Sequence, residues 1–230
     1  GERENDELLE NAIDHYITSV DTEANVEMRK LSMQYLVAAF GPDKANVPAK
    51  SEPVLQQMIE SDPSNPDNYF VLSKLYEDSG LFEEAEEVLD RVQDLRADDP
   101  VVHMRVAGFY DRNEEFDLTI EALSRRAALE PDNPEAYYTI GNFYWQKAFR
   151  DFQLSNEEEM EYILLGLEQL EKALALNADY GEALTYKNIL LRLQANLTED
   201  LDERAALIEE ADVLRERATE ILKIQRGGAS

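Results

Sequence analysis

The chain has 230 residues, 43% of them hydrophobic, a formal net charge of −28 and no cysteine. That apolar fraction excludes a disordered acidic tail, and no apolar run approaches the ~20 residues that span a bilayer. The charge repels nucleic-acid phosphate and anionic lipid and favours basic partners or divalent cations. The missing cysteines exclude disulfides, thiolate metal sites and cysteine nucleophiles. Gly and Pro are few while Ala, Leu, Glu and Tyr abound, which favours helix over sheet. Without a run of spanning length the chain reads as soluble, and its opening Gly1-Glu2 without Met leaves open a cytoplasmic place or export after loss of an upstream signal.

Residues 1–62 are expected to form an N-terminal helical cap, or a degenerate copy of the repeat that follows them. Leu8, Leu9, Ala12, Ile13, Tyr16 and Ile17 make one helical stripe. Val26, Leu31, Tyr35, Leu36 and Ala39 make a second, ended by Gly41-Pro42, with a long loop over 41–50. Ser51 is placed to cap a short helix running through Ile59.

From residue 63 onward a repeat governs the chain. Asn65-Pro66, Asp99-Pro100 and Asn133-Pro134 fall 34 residues apart, and Tyr76, Tyr110 and Tyr144 keep the same step. Asn or Asp before Pro is a helix start: the side chain caps an orphan N–H, and Pro at the first helical position lacks only an N–H that would be unpaired. Tyr69, Leu72, Leu75 and Tyr76 then form an apolar stripe in the first unit, and Tyr137, Ile140, Gly141 and Tyr144 in the third. Asp78-Ser79-Gly80 and Asp111-Arg112-Asn113 read as breaks. Second helices follow over Leu81–Leu95 and Leu118–Leu129. Each unit is therefore a helix–turn–helix, with units near 66–99, 100–133, 134–180 and 181–226.

These units resemble tetratricopeptide repeats. The third carries Tyr137, Ile140-Gly141 and Tyr144 at the family's positions 4, 7–8 and 11. The first carries Tyr69, Leu72, Tyr76, Ala85 and Leu89, and the second Tyr110, Leu123 and Pro131. Val92 and Arg126 depart from the pattern at position 27, and Thr119 at position 20. The resemblance implies an all-α fold: a right-handed superhelical solenoid of antiparallel helix pairs.

The last two hairpins are expected to be lengthened. Ala173, at position 27, lies 29 residues after Tyr144, where the family has 16. In the fourth unit Ala211 and Ala218 fill positions 20 and 27, and Ala218 lies 27 residues after Leu191. The inserted stretch keeps helical character through Phe149, Phe152, Met160, Ile163, Leu164 and Leu167, and Ser155 with Glu158 makes a capping box. Roughly 6 residues per helix, or ~9 Å, would let the two extensions pack on each other. Some exported bacterial tetratricopeptide proteins are similar in their long insertion after such a helix.

By the family's geometry, positions 5, 9 and 12 of each first helix line a concave peptide-binding groove. That implies Phe70 and Lys74 in the first unit, Met104 and Asp111 in the second, Tyr138, Asn142 and Trp145 in the third, and Arg192 in the fourth. Asn142 stands where the family uses Asn to bond a peptide backbone. Tyr138 and Trp145 fit either the groove or the core between repeats. With only Lys74 basic among positions 5 and 9, the family's carboxylate clamp is not expected.

Nothing points to catalysis, a metal or a cofactor. His15 and His103 are far apart, and His103 sits at an inter-helix packing position. The carboxylate runs Glu83-Glu84 and Glu157-Glu158-Glu159 read as solvated helix faces, and the sequon at Asn196-Leu197-Thr198 as incidental. The resemblance implies a scaffold or adaptor for a protein or peptide, with the charge favouring a basic one. The alternative is self-assembly into a homo-oligomer through repeat stacking.

Overall fold

A computed structural model describes residues 2–41, 44–45 and 47–227. Among the described residues the structure is helical throughout: eleven α-helices, one short 3-10 turn and no strand. The chain divides into two compact units, residues 1–97 and 98–230.

The first unit holds α1 (Glu2–Thr22), α2 (Val26–Phe40), α3 (Ser51–Ser61), α4 (Pro66–Asp78) and α5 (Phe82–Leu95). Each helix packs on its neighbour in sequence. Asn25 caps α2 by accepting from the N–H groups of Glu27 and Met28. Ser51 was expected as a cap but is buried inside the first turn of α3. The 3-10 turn Pro48–Lys50 feeds straight into that helix, so Lys50 takes the cap position and makes no side-chain bond. The core runs from Met33, Leu36 and Phe40 through Leu55 to Tyr69, Leu72, Leu89 and Val92.

The second unit holds α6 (Pro100–Arg112), α7 (Phe116–Leu129), α8 (Pro134–Arg150), α9 (Asn156–Leu176), α10 (Gly181–Leu197) and α11 (Leu201–Gly227). They pack as the hairpins α6–α7, α8–α9 and α10–α11, and α10 also packs on α8 and α9. The helix starts repeat chemically: Asn65, Asp99 and Asn133 each accept from the N–H two residues on, with Pro at the first helical position. Such a cap contributes about 1 kcal/mol. Tyr69 and Tyr137 each donate from the hydroxyl to a proline carbonyl, Pro63 at 2.9 Å and Pro131 at 3.4 Å.

The break after α6 falls two residues later than its sequence suggests. Gly80 turns the first repeat with φ +75°, and Glu114, 34 residues on, takes the same left-handed backbone at φ +62°. Helix α6 therefore runs on through Asp111 and Arg112, and the turn is Asn113–Glu115.

The lengthened hairpins are present. Helices α8 and α10 have 17 residues against 13 in α4 and α6. Helix α9 has 21 against 14 in α5 and α7, and the capping box of Ser155 and Glu158 is formed at its start. The extensions share one core: Ala148 and Ile163 lie in the same buried cluster as Leu190 and Ala211, with Leu193 and Leu197 packed against it. Phe152 does not belong to either helix; it sits in the connecting turn, 95% exposed.

Candidate functional site: an aromatic face on α8 and α10

Between α8 and α10 lies a row of half-buried aromatic rings packed against that core cluster. Tyr138 meets Tyr180 edge-on at 5.2 Å between ring centroids and Tyr186 at 5.7 Å. Tyr186 meets Trp145 at 4.8 Å, and Trp145 stacks on Phe149 at 5.6 Å. Each such pair adds about 0.5–1.5 kcal/mol beyond the area it buries. Burial, helped by Tyr186, Tyr180 and Glu182, pushes the Tyr138 hydroxyl up to about 12. Burial also raises Tyr180, with Glu182 and Glu135 acting in the same sense. Both phenols therefore stay protonated and neutral at physiological pH.

Two features of this row depart from the usual local rules. The Trp145 indole N–H is covered and has no acceptor, an arrangement that costs about 1–3 kcal/mol and that Phe would avoid. Tyr180 occupies the N-cap of α10 without any side-chain cap bond, whereas the three earlier first helices of the repeats all have one. Departures from local rules of this kind gather where function, not stability, chooses the residue.

The expected groove residues are placed as follows. Tyr138 and Trp145 stand side by side in the aromatic row. Asn142 lies between them in sequence, half-buried, its Oδ1 accepting from Gln146 Nε2 at 2.8 Å. Met104 is 40% exposed, and Arg126 Nη1 lies 3.4 Å from its sulfur. Asp111 is exposed and lines a cleft of about 460 Å³ with Glu114, Phe116, Phe143, Lys147 and Arg150. Arg192 is held within its own hairpin by Asp212 at 2.6 Å and Asn188 at 3.1 Å. Phe70 and Lys74 belong to the first unit: Phe70 is buried, and Lys74 bridges to Asp78 at 2.7 Å and Glu77 at 3.4 Å. Tyr180 and Tyr186 are members of the row that counting along the repeat does not select.

Arg126, which departs from the repeat pattern, is a buried arginine tied to Glu130 at 2.9 Å and Glu135 at 3.5 Å. His103 is buried. Among the described residues no group of His, Asp or Glu could hold a metal ion, and no helix is long and apolar enough to cross a membrane.

A family model described as tetratricopeptide repeat matches residues 44–107. Solved structures share the helical arrangement. A crystal structure of MamA is 20% identical, covering 80% of this chain and 93% of its own, with a TM-score of 0.53. A second MamA crystal structure is 18% identical over 86% and 94%, with a TM-score of 0.54. MamA 41-end from Desulfovibrio magneticus RS-1 is 16% identical over 87% and 97%, at 0.51. No curated protein matches the chain in sequence. With the 34-residue step, the recurring Asx-Pro caps and the packed helix pairs, these findings define the fold: residues 44–107 match the tetratricopeptide repeat, and the helix pairs pack as they do in such proteins.

Proposed function

We propose that the chain holds a partner protein by an extended segment laid along the first helices of its later repeats, with the aromatic row of α8 and α10 as the main contact. The observation that supports this reading is the row itself: Tyr138, Trp145, Tyr180 and Tyr186, half-buried and mutually packed, one of them with an unmet N–H. Half-buried aromatic residues are the usual energetic anchors of interfaces. Met104 and Asn142 extend the contact, the first as an exposed adaptable side chain and the second as a backbone-bonding amide.

The test is affinity capture from the source organism at low and high salt, with captured proteins identified by mass spectrometry. Wild type is compared with a Tyr138→Ala/Trp145→Ala variant whose helicity is checked by circular dichroism. A partner that resists salt and is lost with the variant supports the aromatic row. Partners that vanish with salt and ignore the substitutions assign capture to the diffuse acidic surface and overturn the reading. A concentration-independent monomer in light scattering would remove self-assembly as the alternative.

A further inference from the structure

Resting on that binding reading, we infer that the anchor taken by the aromatic row is a cation: a lysine or arginine side chain of a basic peptide segment, seated on the Tyr138, Tyr180 and Tyr186 rings. The Tyr180 and Tyr186 rings lie 5.2 and 5.7 Å from the Tyr138 ring between centroids, with Trp145 adjoining Tyr186 at 4.8 Å. Their π faces carry negative electrostatic potential, and a cation held over such a face is attracted to it.

The charges beside the rings have the same sign. Glu135 lies one turn before Tyr138 on α8, and Glu182 one turn before Tyr186 on α10; both carboxylates are exposed. Both act on Tyr180, and Glu182 acts also on Tyr138. The cation near them is Arg126, which is buried and already engaged by Glu130 and Glu135. Arg126 is thus shared between Glu130 and Glu135, and Glu182 adds a further carboxylate beside Tyr138 and Tyr180, so negative charge is in excess beside the aromatic rings. A neutral apolar anchor would cover the rings and leave those charges as they are. An acidic anchor would be repelled. A guanidinium or ammonium answers both features at once, and the net charge of −28 favours the approach of a basic chain.

The probe is an acetylated, amidated heptapeptide, Gly-Ser-Leu-Arg-Leu-Ser-Gly, and its counterparts with lysine, citrulline or norleucine at the centre. Each is titrated into the full chain and followed by amide chemical shifts, which read weak binding. The arginine and lysine peptides are expected to bind roughly tenfold more tightly than their neutral counterparts. In Glu135→Gln/Glu182→Gln, both on exposed positions, that gap closes towards unity. In Tyr138→Ala/Tyr186→Ala, binding of all four is lost. Tyrosine-dependent binding that is indifferent to charge overturns the cationic anchor and leaves the binding reading standing. A charge preference that survives the tyrosine substitutions overturns this inference in favour of the general acidic surface. Absence of shifts with every peptide overturns both.

Discussion

Glu114 holds a left-handed backbone where the preceding repeat uses Gly80. For a residue with a Cβ that conformation costs about 1–2 kcal/mol. Glu114→Gly is therefore expected to stabilise the second unit by about 1 kcal/mol, less the extra freedom glycine gives the unfolded chain, as read from urea denaturation. Tyr180 offers the complementary case. Tyr180→Asn restores a cap of about 1 kcal/mol and removes one ring pair of similar worth, so the denaturation midpoint should hardly move while partner binding weakens. A large loss of stability would instead make Tyr180 a packing residue. Tyr138 and Trp145 were legible in the sequence because the 34-residue count places them one step from recognised core positions. Tyr186 was not, because it lies one residue beyond the counted position, and one residue turns a helix side chain by about 100°. Tyr180 was hidden for another reason: it stands at a cap, where sequence reasoning looks for Asn, Asp or Ser. Lys74 and Arg192 are groove residues by their repeat positions, and each finds carboxylates at close range; pairing across a hairpin, as Arg192 does with Asp212, leaves no mark in a linear pattern.

At the scale of elements, α8 and α9 meet through two glycines. A Cβ on Gly141 would fall 2.7 Å from Leu170 Cγ and 3.2 Å from the Gly166 carbonyl oxygen. Leu170 is fully buried and its branch point cannot retreat. Overpacking of about 1–3 kcal/mol then outweighs the gain of about 1 kcal/mol that alanine brings to a helix, and Gly141→Ala should destabilise. Gly108, on α6, meets only the end of the Arg112 side chain at 3.5 Å. There the helix term stands alone, and Gly108→Ala should stabilise by about 1 kcal/mol. Thermal melts of the two variants should shift in opposite directions; a shared sign would mean the α8–α9 contact is loose enough to admit a methyl group. The lengthening of these hairpins was readable from the delayed alanines at 173 and 218, since a buried small residue keeps its place in the repeat even when residues are inserted before it. The turn at Phe152 was not readable, because an apolar residue at helical spacing looks the same in a helix and just beyond its end.

For the whole molecule, charge is the dominant long-range quantity. At −28 the folded chain repels itself, whereas its exposed i,i+4 ion pairs contribute about 0–1 kcal/mol each. Raising salt from about 0.01 M to about 0.15 M shortens the screening length from about 30 Å to about 8 Å. Relief of the repulsion should exceed the weakening of the pairs, so the melting temperature is expected to rise. A fall would show that ion pairs such as Lys187 with Glu171 and Glu210 outweigh it.

Trp145 is the chain's single tryptophan, and it stands in the second of the two compact units. Its intrinsic fluorescence therefore witnesses one half of the protein, while far-ultraviolet ellipticity sums the helices of both. A denaturant titration recorded in both signals needs no label to compare them. Superimposed curves describe one cooperative folding body; separated curves describe two independent ones, and the interval between them measures how much later one yields than the other.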